Sequence, residues 1–371
     1  MKKEASSRIA RMIVAASEHN ADMLYATGFM APDPFIYWEW KGKRHIALNR
    51  LEIDRGRSQA RVDLVHAMED FRGETLADVI VMISKKNGFK RIEVPQDFPL
   101  SLADALRQRG YQVKSTKDHF FPQREIKTAE EISFITRAQR MAEAGLHRAV
   151  EILKQTSISS TGFLKWQGRR LTSERLRGEI NATIIKLGGL PSGTIVAGGT
   201  QACDPHERGY GPLRAHEPII IDIFPRDSVS GYYGDLTRTL LRGKASEALK
   251  KLYHTVARAQ KWALTKMRSG ADGKKIHEGI VEFFTAQGYP TRKLGGRWTG
   301  FFHGTGHSLG LEIHEAPRFA ATRFKTGQVM TVEPGLYYPE LGGVRIEDVV
   351  VIKDDGVQNL TRALRQFIIR R

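Results

Sequence analysis

At 371 residues, 41% hydrophobic and 27% charged, the chain has the composition of an ordinary globular protein with room for two domains. A single cysteine, Cys203, excludes an internal disulfide and fits a reducing cytoplasm, and no apolar run approaches a membrane span, so no membrane partner is expected. The formal charge of +17 raises the question of nucleic acid, yet the densest basic groups, Arg169-Arg170 with Arg175 and Arg177, and Arg292-Lys293 with Arg297, read as solvated surface and not as a binding stripe.

The basic start Met1-Lys2-Lys3-Glu4 leads into an apolar run over 12–16 that is too short for a secretion signal and is broken by Ser17-Glu18-His19. That run reads as a strand. Further strands are expected at 44–48, 92–94 and 111–113, with helices at 75–86 and 102–109 between them. Ser101 is placed as a cap for the second helix and Gly110 as its stop. The alternation is that of an α/β domain. His19, Asp22, His45 and Glu52 are scattered and form no catalytic cluster. Trp38 and Trp40 read equally as an exposed contact site or as core.

Residues 120–124 lack periodicity, and Thr128-Ala129-Glu130-Glu131 then forms a capping box before a long amphipathic helix with Ile132, Ile135, Leu146, Val150 and Leu153 on its apolar side. The domain boundary falls here, giving 1–123 and 124–371. Residues 156–170 read as a surface excursion. A helix over 173–186 ends at Gly188-Gly189, and two more amphipathic helices are expected at 246–267 and 272–287.

The chemistry lies between and after these helices. Ile219-Ile220-Ile221 runs into Asp222, and a turn-forming stretch returns the chain through Asp235 to a second apolar run, so a hairpin brings two carboxylates together. Buried without a cation they would cost several kcal/mol, roughly. Three imidazoles, His303, His307 and His314, follow within twelve positions among glycines. Glu333 then ends one apolar strand, and Glu347 interrupts another. A set of Asp222, Asp235, His307, Glu333 and Glu347 is oxygen-rich with one nitrogen, which suits Mn²⁺, Co²⁺ or Zn²⁺ in a two-metal site. Arg345, two residues before Glu347, would face the same side and offset its negative charge.

On these motifs the sequence resembles the pita-bread metallopeptidases, and within them the Xaa-Pro dipeptidases (prolidases) and Xaa-Pro aminopeptidases. The resemblance covers the whole chain and departs from the family pattern in two extra residues between Asp222 and Asp235. It implies an α/β creatinase-type amino-terminal domain, followed by an α+β pita-bread catalytic domain with a curved antiparallel sheet. In the family the first domain serves oligomer contacts, so a homodimer is implied. Two divalent metal ions are implied, Mn²⁺ foremost and Co²⁺ or Zn²⁺ as alternatives, with a small peptide carrying Pro in second position as substrate. Glu333 would be both ligand and general base. His314 and His303 would hydrogen-bond the substrate carbonyl, with orientation of a ligand as the other role weighed for His303. The resemblance also carries a substrate contact to His206, and to Arg318 a grip on a dipeptide's terminal carboxylate, weighed against a solvated loop arginine. Dipeptidase is favoured over aminopeptidase. The alternative reading is a catalytically silent binding protein on the same scaffold, with nucleic acid as its ligand.

Overall fold

The chain divides into two compact units, Met1–Arg124 and Glu125–Arg371. The computed structural model describes residues 9–370, so the basic start Met1-Lys2-Lys3-Glu4 lies outside the described residues. In the first unit, β1 (Ile9–Ala15), α1 (Ala21–Thr27), β2 (Phe35–Trp40), β3 (Lys43–Leu48), α2 (Ile53–Gln59), β4 (Leu64–Ala67), α3 (Leu76–Asn87), β5 (Arg91–Val94), α4 (Leu100–Gln108) and β6 (Gln112–Ser115) follow in order. The strands form one mixed sheet in the order β4-β3-β2-β1-β5-β6. Alternation splits its side chains: Met12, Ile36 and Trp38 join Ile80 and Leu106 on one face, while Ile13, Phe35 and Tyr37 join Met23 and Ile53 on the other. Trp38 is fully buried and Trp40 nearly so, which assigns both to the core and removes them as an exposed contact site. Ser101 does not cap α4; the helix starts at Leu100 behind Pro99, and Ser101 lies inside its first turn. α3 does carry a capping box, from Thr75 to Asp78.

The second unit opens with α5 (Ala129–Gln155), whose Thr128 and Glu131 cap each other reciprocally. The expected surface excursion is instead a small antiparallel sheet of β7 (Ser157–Ile158), β8 (Leu164–Trp166) and β9 (Arg169–Arg170). Leu164 and Trp166, two residues apart, both point inward and pin it to the core. α6 (Ser173–Lys186), β10 (Gly189–Leu190), β11 (Ile195–Gly198), β12 (Pro218–Ile223), β13 (Arg226–Asp227) and β14 (Leu236–Arg242) follow, then α7 (Glu247–Lys266) and α8 (Gly273–Ala286). The remaining strands are β15 (Arg292–Leu294), β16 (Arg297–Thr299), β17 (His307–Ser308), β18 (Glu315–Arg318), β19 (Val329–Val332), β20 (Gly335–Tyr338), β21 (Gly342–Arg345), β22 (Asp348–Ile352), β23 (Val357–Asn359) and β24 (Ile368–Ile369).

Two sheets dominate, β11-β12-β14-β24 and β18-β17-β19-β22-β23. Each has its own helix pair. α5 and α6 cover the first through Leu146, Ile180 and Ile184 against Ile219, Ile221 and Leu240, and α7 and α8 cover strands of the second through Leu252, Val256 and Ile280 against Met330, Val332 and Val350. No helix among the described residues is long and apolar enough to cross a membrane.

Candidate metal centre

Strand parity builds the site. β12 gives Ile219, Ile221 and Ile223 to the helices, while Ile220 packs on the other face with Tyr337. Asp222 shares the parity of Ile220 and so emerges away from the helices. β14 repeats this: Leu236 and Leu240 face the helices, and Thr237 stands opposite Asp222 in register. In β19 Met330 and Val332 face α7 and α8, which sends Thr331 and Glu333 the other way. Glu347 sits in the break between β21 and β22, where its N–H donates to the Thr237 carbonyl at 3.0 Å and joins the two sheets.

Ligand atoms of Asp235, His307 and Glu347 lie within 4.8 Å of one another. Glu333 Oε1 lies 3.4 Å and Asp235 Oδ2 3.5 Å from His307 Nε2. Asp222 stands beside them but turns one oxygen to Arg345, whose Nη2 donates to Oδ2 at 2.7 Å. Thr237 donates to Glu347 Oε2 at 2.8 Å, and Thr331 to Glu333 Oε1 at 3.3 Å.

Three observations test whether these residues suit divalent cations. Asp222 Oδ1 and Glu347 Oε1 are buried and make no hydrogen bond, a costly state for a carboxylate without a cation. His307 Nδ1 lies 3.1 Å from the Ser308 carbonyl and must donate there, so Nε2 presents its lone pair toward carboxylates. A lone pair facing anions is repulsive unless something positive stands between them. The charges also do not balance. Burial first, then Asp222 and Glu333, push Asp235 well above the usual carboxylate range. Glu347 is raised in the same way by burial and by Asp235, Glu333 and Asp222. Burial and Asp222 push Glu333 up to about 7 despite Arg345. Burial lowers His307 and keeps its imidazole neutral, the form that ligates. The donor set fits hard or borderline divalent ions.

Around the cluster lies a chain of hydrogen bonds. His303 donates from Nδ1 to the Gly304 carbonyl at 2.8 Å, and its Nε2 accepts from the Tyr337 hydroxyl at 2.8 Å. Tyr337 accepts from Arg345 Nη1 at 3.1 Å. Burial, followed by Arg345, lowers His303 to about 3. Both of its nitrogens are thus engaged within the protein, one by the Gly304 carbonyl and one by the Tyr337 hydroxyl. His314 is exposed, with its ring edge-on to His307 at 4.4 Å. His206 is exposed in its loop and near enough to weigh on His303 and His314 electrostatically. Arg318 is exposed at the end of β18, opposite His307 in register. The sequence reading missed Tyr337, Thr237 and Thr331. Period two would have flagged the threonines, which stand two residues from Asp235 and Glu333.

Against known proteins, the model of metallopeptidase family M24 matches residues 133–354. The chain is 31% identical over 250 residues to the Xaa-Pro dipeptidase of Pyrococcus furiosus, a stretch covering 66% of this chain and 65% of that protein, just under two thirds of its length. The Xaa-Pro dipeptidase of Bacillus anthracis has a similar structure, with a TM-score of 0.83 at 23% identity over 97% of this chain and 94% of that one. An X-Pro aminopeptidase from Thermotoga maritima reaches 0.84 at 24% identity over 100% of both chains. The fold they share with this chain is the pita-bread fold.

Proposed function

This chain belongs to metallopeptidase family M24, and from that premise we propose that it is a metal-dependent exopeptidase cleaving the bond between an amino-terminal residue and a following proline. The observation that carries the reading is the cluster itself: four carboxylates and one neutral imidazole on one face of the strands, with two carboxylate oxygens left without hydrogen bonds. Asp222, Asp235, His307, Glu333 and Glu347 would hold two divalent ions. When bound, these supply Lewis acidity and bring the pKa of water toward neutrality.

The chain's own residues do the rest. Glu333, whose carboxyl burial raises above its ordinary range, takes the proton of the attacking water and returns it to the proline nitrogen. His314, neutral and exposed beside His307, offers a donor to the carbonyl oxygen as charge develops there. Arg345 balances part of the cluster's negative charge and is held by Tyr337, itself oriented by His303. His206 and Arg318, both exposed, would contact the substrate, with Arg318 gripping the terminal carboxylate of a dipeptide. Dipeptides are therefore the favoured substrates. Manganese is the ion proposed, because oxygen donors outnumber nitrogen four to one in the set, and a homodimer in the cytoplasm is the proposed state, supported by the resemblance and by the lone cysteine.

Dialysis against a chelator is expected to abolish hydrolysis of an Xaa-Pro dipeptide, and Mn²⁺ or Co²⁺ to restore it. Full activity in protein shown to be metal-free would overturn the assignment.

A further inference from the structure

Lys127 directly precedes the capping Thr128 of α5, a position from which a lysine ordinarily reaches into water. Its side chain is instead only 1% exposed and is paired with Glu315, which is 4% exposed. The ammonium donates to Glu315 Oε2 at 3.0 Å and to Ser308 Oγ at 3.2 Å. Glu315 Oε1 accepts the Glu312 N–H at 3.1 Å, so both carboxylate oxygens are engaged. The lysine's own N–H donates to the Gly327 carbonyl at 2.9 Å. Space for the carboxylate exists only because residue 310 is glycine: a Cβ there would lie 2.7 Å from Oε2 and 2.9 Å from Oε1. The Gly310 carbonyl in turn accepts the Tyr233 N–H at 2.8 Å, which ties this loop to the hairpin of Asp222 and Asp235.

The identity of the two partners matters. Ser308 follows His307, and Glu315 follows His314. Ser308 and Glu315 are also opposite each other across β17 and β18, where the register shifts at His307 and Ser308. One buried cation therefore holds the residue after each of two imidazoles whose rings meet at 4.4 Å. Stability does not account for such a pair, since taking both charges out of water costs about as much as their attraction returns, and apolar replacements are often neutral. Fixing a position does account for it.

We propose that Lys127 and Glu315 form a positioning pair that sets the spacing of His314 from His307, and so the place of the exposed donor relative to the carboxylate cluster. The kinetic consequence rests on the peptidase reading above; the geometric one does not. A shift of about 1 Å in a reacting group's support can cost on the order of a hundredfold in rate.

The test is the double variant Lys127→Met/Glu315→Gln, which removes both charges and keeps an acceptor for the Glu312 N–H. Three measurements are made: thermal unfolding, kcat and KM on an Xaa-Pro dipeptide with metal restored, and imidazole ¹⁵N resonances of histidine-labelled, metal-free protein. The pair predicts an unfolding temperature close to the parent's, kcat lower by about tenfold or more with KM little changed, and shifted resonances for His307 and His314 but not for His254, which is exposed on α7. A variant whose kcat and resonances match the parent's would overturn the proposal, and so would activity that simply tracks unfolding temperature. Should the double variant not fold, Ser308→Ala, which removes one contact and leaves the ion pair, is expected to shift the same two resonances and lower kcat about threefold; unchanged resonances there overturn it equally. If the parent itself cleaves no Xaa-Pro peptide, the peptidase reading fails and the resonances alone judge the pair.

Discussion

Glu347 and Asp348 are neighbours in the chain and almost equally buried, yet they live in opposite electrostatic worlds. Asp348 faces the helices with Val350 and Ile352, where Arg238 donates to one oxygen at 2.7 Å and Arg365 to the other at 2.6 Å, joined by Asn359 at 3.0 Å. Burial alone would raise it, but the two guanidiniums reverse the effect and hold it below the usual carboxylate range. Glu347 faces the other way. It has one hydroxyl on Oε2, nothing on Oε1, and three carboxylates as its nearest charges. The contrast separates a charge that the chain neutralises by itself from one that it leaves to be neutralised by something bound.

The comparison can be broken most directly at Glu333, on the Glu347 side. Glu333→Gln keeps the shape and removes the base, and the loss in kcat on an Xaa-Pro dipeptide is expected to be about 10²- to 10⁴-fold; a loss under tenfold would remove Glu333 from the proton path. Next comes stability. Asp348→Asn takes the charge from the buried guanidinium of Arg238 and should cost about 3–5 kcal/mol in denaturant unfolding of the carboxy-terminal unit, with or without metal. Glu347→Gln should leave the metal-free protein as stable as the parent or more so, because it relieves like-charge crowding. If both substitutions destabilise metal-free protein alike, the two faces do not differ as described.

The pH dependence sharpens the same point. Glu333 is raised from its ordinary value of 4.5 to about 7 in the folded metal-free chain, so between those values the folded state keeps a proton that the unfolded state has released, and rising pH favours unfolding. Glu333→Gln removes that term. Its stabilising effect on metal-free protein should be absent near pH 4, grow as the pH rises, and level off above about 7; a gain independent of pH would contradict the shift. The smallest effect is expected from Arg318→Ala, which should lower kcat/KM for a dipeptide about tenfold and leave an Xaa-Pro tripeptide unchanged. An unaltered ratio between the two substrates would reject the length-measuring role.

Much of this was legible in one dimension because the site residues break a pattern. Asp222, Asp235, Glu333 and Glu347 are charges set in or beside runs of Ile, Val and Leu, and such anomalies are visible without a structure. The helices over 173–186 and 246–267 were likewise plain from periodicity, and the structure has them at Ser173–Lys186 and Glu247–Lys266. Other features were not legible. Trp38 reads as exposed or buried with equal ease until both faces of its sheet are covered. Pro99 displaces Ser101 from the cap because a helix can begin directly after a proline. Tyr337 looks like one more aromatic in a strand until His303, from the loop before β17, and Arg345, from the paired strand β21, close on its hydroxyl.

By itself the sequence determined the inventory and its phase: which carboxylates stand on apolar strands, and, through the two-residue alternation of side chains, that they turn away from the helices. Only the tertiary structure decided the pairings, that Arg238 and Arg365 belong to Asp348 and Arg345 to Asp222, and that Lys127 reaches Ser308 and Glu315. The physical reason is that local periodicity fixes the direction in which a side chain leaves its backbone, whereas the charge it meets there comes from other segments, 17 residues away for Arg365 and Asp348 and 188 for Lys127 and Glu315, brought together by packing that no local pattern encodes.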